Sequence, residues 1–415
     1  MKKLLSVVLA LLMLAVMLPV TAMAEGTNYC TIEEITEAGG TTLKHFGTLT
    51  DAAKAWRESK GIATSGGNFG SHPDELTIDS ISWVISGSVN SGDGTGVNGN
   101  NNNNGLLLSG GYVYPAVKAN SIYVKGVNNA ELKNEIGSDY ALSVAAKTVE
   151  YDGITFPEYV SFNTEAENVT FKNCTFKGGL KVMQAINVTV DNCKFEGDGS
   201  KDFAFFAQSV PANSMKAVQF KNNTVSSFMR GINVQADSTA TVSITGNTIT
   251  NLTGKDANGG KYGSAIQLTS GASFTVTDNT INTKNVNAFH LYNGLNAAVT
   301  ISNNIITTDY LIWNAANLEN ISSSGNTFDI KYPGKELVKV KLDDKSEVVN
   351  TIDSATTING TVVEHPTTII ITPAGDTPKT EDQKNPTTGA NDMVAAAAAL
   401  MAVSALGMAV LSRKK

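Results

Sequence analysis

The chain has 415 residues, 41% hydrophobic and 17% charged, with 31 Lys and Arg against 38 Asp and Glu for a net charge of −7. That sign excludes a strongly basic nucleic-acid binder, and three cysteines in so long a chain exclude a disulfide-stapled miniature fold. The 37 glycines follow no triplet rule and no heptads occur, which excludes collagen and coiled coil.

From the N-terminus, Met1 to Ala24 carries Lys2 and Lys3, an apolar stretch from Leu4 to Val20, and Ala22-Met23-Ala24. A basic start, apolar middle and A-x-A exit are the order of a secretory leader. Residues 25–75 are read as an N-terminal cap region. Within it, Thr48 to Lys60 has a helical pattern with Thr50 or Asp51 as N-cap. The Gly- and Asn-rich stretch from Ser86 to Gly105 reads as a loop.

An eight-residue unit then recurs. It reads VTFKNCTF from Val169, VTVDNCKF from Val188, VQFKNNTV from Val218, VSITGNTI from Val242, FTVTDNTI from Phe274, VTISNNII from Val299 and ISSSGNTF from Ile321. A looser copy, VEYDGITF, begins at Val149. Apolar residues at places one and three mark a short strand with one buried face. Place five holds only Asn, Asp or Gly, the residues that tolerate left-handed backbone, so the chain turns a corner there.

Place six points inward after the corner and is Asn at Asn223, Asn247, Asn279, Asn304 and Asn326. A buried amide needs partners, and identical amides stacked at about 4.8 Å supply them as a ladder. Cys174 and Cys193 hold the same place in earlier copies and are expected as buried free thiols, because parallel Cβ directions disfavour a bridge.

Copies start 19, 30, 24, 32, 25 and 22 residues apart, so each repeat is a coil of a solenoid rather than a hairpin. A second apolar strand falls between copies, at Gly179 to Val182, Gly231 to Val234, Ala265 to Leu268 and Ala288 to Leu291. A β-sandwich is disfavoured because it shows tight antiparallel turns, not a recurring corner. The unequal spacing also argues against a lattice-matched ice-binding surface from outward Thr189, Ser243, Thr245, Thr275, Thr277, Thr300 and Ser302.

These coils and corners resemble the pectate-lyase-like superfold. The resemblance implies an all-β fold: a single-stranded right-handed parallel β-helix over residues 76–340, with the short N-terminal helix as a cap. Right-handedness also agrees with the general crossover preference. Residues 341–371 are expected to form a C-terminal β cap over the other open end.

Pectate lyases of this superfold use an acidic calcium cluster and an arginine base. Between the leader and Thr388 only Arg57 and Arg230 are available. The outward places of the second strand are Lys181, Met183, Asn233, Gln235, Gln267, Thr269, His290 and Tyr292, and none is a carboxylate. The acids Glu196, Asp198, Asp202 and Asp256 fall in inserts. The expectation is therefore a protein without catalytic residues, metal or cofactor. Asn233, Gln235, Gln267, Thr269, His290 and Tyr292, with Trp313 and Asn314 in the next coil, are the candidate glycan-binding stripe. Planar amides hydrogen-bond hydroxyls, and aromatic faces cover sugar C–H surfaces.

Residues 372–384 (TPAGDTPKTEDQK) are Pro-, Thr- and charge-rich and read as an extended tether. Residues 385–415 follow: Asn385-Pro386-Thr387-Thr388-Gly389, an apolar run of 19 residues over 393–411, and Arg413-Lys414-Lys415. This resembles the sorting signal of Gram-positive wall proteins, with Asn385 where the common motif has Leu. The resemblance implies a sortase that cuts between Thr388 and Gly389 and joins Thr388 to peptidoglycan, with 393–411 spanning the membrane only transiently. Losing both ends removes Lys2, Lys3, Asp392, Arg413, Lys414 and Lys415 and leaves a net charge of −11 on residues 25–388. The whole reads as an exported, wall-linked surface protein contacting host or dietary glycans. A polysaccharide lyase or hydrolase and a plain structural stalk are its rivals.

Overall fold

The computed structural model describes residues 28–35, 41–45, 55, 76–90, 102–103, 117–133, 140–144, 146–164, 166–209, 215–254, 263–284, 286–291, 297–308, 310–313, 321–330, 338–342, 346–350, 356–358 and 361–363. Alternating apolar residues dictate its main element. In Asn168–Lys172, Val169 and Phe171 point inward and are buried, while the neighbours point outward. The next copies, Asn187–Asp191 and Ala217–Lys221, repeat the pattern. Each strand pairs in parallel with its counterpart one repeat later, Val169 opposite Val188 and Val188 opposite Val218. In-register pairing continues through Val242, Phe274, Val299 and Ile321. Repetition of one inward pattern thus builds a continuous parallel sheet, the first face.

At place five the chain turns. Asn173, Asn192, Asn222, Gly246, Asp278, Asn303 and Gly325 all have positive φ, between 52° and 68°, as does Gly153 at 71° in the looser copy. Only Asn, Asp and Gly enter that conformation at low cost, which is why the sequence admits nothing else there. After the corner comes a strand that the sequence reading did not separate: Thr175–Phe176, Lys194–Glu196, Thr224–Ser226, Thr248–Thr250, Thr280–Asn282, Ile305–Thr308 and Thr327–Ile330. These are the second face, too short for alternation to announce them. The third face comprises Asn102–Asn103, Tyr140–Val144, Val160–Thr164, Leu180–Met183, Phe203–Gln208, Arg230–Gln235, Ser264–Ser270, Asn287–Leu291 and Tyr310–Trp313, again parallel.

The core runs the length of the coils. Place three stacks Tyr151, Phe171, Val190, Phe220, Ile244, Val276 and Ile301, all buried. Place eight stacks Phe156, Phe176, Phe195, Val225, Ile249, Ile281 and Ile306, equally buried. The expected ladder of place six is present. The Nδ2 of Asn223, Asn247, Asn279 and Asn304 donates to the Oδ1 of the next Asn at 3.1, 2.9, 2.9 and 2.9 Å, ending on Asn326. Each Nδ2 also donates back to the place-three carbonyl of the preceding coil, as from Asn247 to Phe220 at 2.9 Å. Each Oδ1 accepts the backbone N–H of the preceding ladder residue, beginning with Cys193 N–H to Asn223 at 2.8 Å.

Cys174 and Cys193 are buried free thiols in this ladder. They imitate the amide donor: Cys193 Sγ–H faces the place-three carbonyl of Phe171 at 3.5 Å, and Cys174 that of Tyr151 at 3.6 Å. Burial, followed by its contact with Cys193, pushes the Cys174 thiol well up and keeps it protonated.

Unequal coil lengths leave the first two faces undisturbed, because the inserts depart at the edges of the third face, as at 197–202, 209–216 and 251–263. The outer column of the first face is in register despite the unequal spacing: Ser243, Thr275, Thr300 and Ser322 stand opposite one another rung by rung.

At the N-terminal end, Tyr29–Ile35 pairs antiparallel with both Thr41–His45 and Leu76–Asn90. Apart from Ala55, the helix expected over 48–60 lies outside the described residues, as do residues 1–24 and 372–415. Beyond the last coil are two antiparallel hairpins, Val338–Leu342 with Ser346–Asn350 and Thr356–Ile358 with Thr361–Val363. Among the described residues no helix is long and apolar enough to cross a membrane. The run 393–411 is not among them.

Candidate functional site

The third face carries the expected stripe, and pairing fixes its order. Lys181 stands opposite Phe206, Phe206 opposite Asn233, Asn233 opposite Gln267, Gln267 opposite His290, and His290 opposite Trp313. One residue per coil, about 4.8 Å apart, makes a row along the solenoid axis. Gln235 begins a second row opposite Gln208, but a bulge after Val234 pairs it with Ser270 instead of Thr269. Thr269 then donates its hydroxyl to Asn233 Oδ1 at 3.2 Å. Tyr292 and Asn314 lie outside the described residues, and Trp313 is placed only by its backbone.

Exposure along the row is uneven. Lys181, Phe206, Gln235, Gln267 and Thr269 are half-buried, whereas Asn233 and His290 are each only 6% exposed. Two members of the candidate glycan-binding stripe, Asn233 and His290, are thus covered. Alternation along the strand sets which way a residue points but does not encode how much of it the surrounding packing covers.

Sequence reasoning passed over an aromatic and cationic group in the middle of this face. Phe203–Gln208 (FAFFAQ) lacks clean alternation, so it was not read as a strand of the series. It sets Phe203 opposite Arg230 and Phe206 opposite Lys181. The Arg230 guanidinium lies 3.9 Å from the Phe203 ring centroid, Lys181 Nζ lies 5.2 Å from that of Phe206, and the two rings are 5.7 Å apart. Arg230 is held by a two-point ion pair to Asp202, Nε to Oδ1 and Nη2 to Oδ2. Its strand packs so closely on the next that a Cβ at Gly231 would stand 2.2 Å from the Ala265 carbonyl oxygen.

Three groups on or beside this face are perturbed. Burial, and then the nearby Arg230 charge, lower His290 to about 4, so its imidazole is neutral at pH 7. Burial also lowers the Lys181 ammonium. Asp198, in the insert before Phe203, accepts from the Ser200 hydroxyl at 2.6 Å and its N–H at 2.8 Å, and these bonds hold its carboxyl below the usual range. Among the described residues no three of His, Cys, Asp and Glu gather as metal ligands.

A family profile described as "Right handed beta helix region" matches residues 95–262. With the three stacked parallel faces, it identifies the chain's fold as a right-handed parallel β-helix. Comparisons with curated proteins and with solved structures return no match.

Proposed function

We propose that this chain is an exported, wall-anchored β-helix protein that binds glycan on its third face without turning it over. The observation that carries the reading is the accessible part of the third face, where the Phe206 ring and the Gln267 amide stand two rungs apart in one row with Gln235 and Thr269 beside them, at a rung spacing of about 4.8 Å. Amides donate and accept, as sugar hydroxyls do, and ring faces cover C–H surfaces. The leader at 1–24 and the pentapeptide Asn385 to Gly389, with its apolar run and basic tail, support export and attachment by a sortase to peptidoglycan.

A second reading, a polysaccharide lyase or hydrolase, is favoured by one observation. A neutral imidazole, His290, stands in the row one rung from Gln267, and histidine is the commonest general acid or base. A glycan array on the full chain, read alongside reducing-end release with and without calcium, separates the two. Binding without release is the expected result, release would overturn the binding reading, and neither would leave a structural stalk. Loss of wall linkage in Thr388→Ala tests the anchor, and unaltered linkage would refute it.

A further inference from the structure

We propose that Cys174 and Cys193 form a redox-sensitive clasp, in which oxidation by a small-molecule disulfide joins two neighbouring coils and thiol reduction releases them. The inference is independent of the glycan-binding reading and concerns the core rather than the third face.

The place-six ladder is interrupted where the thiols stand. Asn223 Oδ1 accepts the Cys193 N–H at 2.8 Å, and the same bond recurs at each later rung. Sulfur is a weak acceptor, and among the described residues no corresponding bond joins the Cys174 N–H to Cys193. As ladder members the two cysteines are inferior to Asn, yet they occupy consecutive rungs. Strand register sets Lys172 opposite Asp191 and Thr175 opposite Lys194, so Cys174 stands directly over Cys193. A rung spacing of about 4.8 Å falls inside the Cα separations that disulfides span.

The sulfurs sit in equivalent surroundings one rung apart. Cys174 Sγ faces the carbonyls of Tyr151 at 3.6 Å and Lys172 at 3.2 Å, and Cys193 Sγ those of Phe171 at 3.5 Å and Asp191 at 3.4 Å. The two thiols also hydrogen-bond each other. Parallel Cβ directions require a sulfur to turn off its carbonyls before bonding, which makes the bridge labile rather than a permanent staple. In the exchange one thiolate attacks the reagent disulfide and expels a thiol, and the second thiolate then attacks the mixed disulfide and expels the other. Two protons and two electrons leave the pair, and the reagent ends as two thiols. Both side chains are buried, so exchange takes place as the chain folds or when the coil opens. The copies at Val169 and Val188 start only 19 residues apart, the smallest separation of the series. The bond therefore closes a ring around one complete coil, holding Thr175–Phe176, Leu180–Met183 and Asn187–Asp191. Opening of that coil is what the clasp suppresses.

Refolding the full chain with either oxidised or reduced glutathione tests this, in a Cys30→Ser background that removes the third thiol. Peptide mapping without reductant is expected to find Cys174 joined to Cys193 in the oxidised sample only. The urea midpoint of that sample should lie above the reduced one, and amide hydrogen exchange over residues 175–192 should slow at least tenfold. Dithiothreitol should reverse both changes, and Cys193→Ser in the same background should respond to neither form of glutathione. Absence of the bridge, a bridge that leaves the midpoint unchanged or lower, or an equal response in Cys193→Ser overturns the proposal.

Discussion

The coils from Ala146 to Glu196 and those from Ala217 to Asn326 share one backbone path but are held together by different chemistry. In the earlier coils the core is aromatic. Tyr151 stacks on Phe171 at 5.1 Å, Phe156 on Phe176 at 5.0 Å and Phe176 on Phe195 at 4.9 Å, with thiols at the ladder place. In the later coils Val and Ile replace the rings at place eight, and the ladder is amide throughout. Large rings hold a rung by area and stacking. Where the apolar residues are smaller, a saturated amide ladder adds directional bonds that cannot be made out of register.

The outer surfaces divide similarly. One column alternates Lys125, Asp152, Lys172, Asp191 and Lys221, and continues as Thr245, Thr277, Ser302 and Ser324. A single strand register thus tolerates two solutions, provided the corner residue keeps its positive φ.

The most damaging way to break the contrast is Phe176→Ala in the aromatic half. It removes the ring between Phe156 and Phe195 and should cost about 4 kcal/mol in denaturant unfolding. Asn247→Ala in the amide half strands the Asn223 N–H and Nδ2 in a buried core and should cost about 3 kcal/mol by the same measurement. Acid provides a third test, on the third face. His290 holds its proton more weakly folded, at about 4, than unfolded, near 6.5. The unfolded chain therefore binds the extra proton between those values, and up to about 3 kcal/mol of stability is lost as pH falls through that window. His290→Gln should remove this dependence, and an unchanged pH profile would contradict it. Smallest is Cys193→Ala, at about 1 kcal/mol, because a weak thiol donor and a small volume are lost. A loss equal to that of Asn247→Ala would erase the distinction between the two ladders.

The corner and the amide ladder were legible in the sequence because each has one cheap solution. Left-handed backbone admits Asn, Asp or Gly, and a buried amide demands its own kind above and below. The third face was legible only in part. Its inward residues alternate, so Asn233, Gln267 and His290 fell into one row as expected. Phe203 and Phe206 escaped because FAFFAQ hides its period, and the bulge after Val234 shifted Thr269 toward Asn233. The cover over Asn233 and His290 follows from tertiary packing around the row, which strand periodicity does not encode.

The functional account turns on which face meets the glycan, and one comparison of affinities addresses it. Calorimetric titration of an array-selected oligosaccharide against the wild-type chain, Gln267→Ala on the third face and Thr300→Ala on the first should give at least tenfold weaker binding for Gln267→Ala alone. Equal affinity of Gln267→Ala and wild type, or a loss confined to Thr300→Ala, would contradict the assignment of the third face.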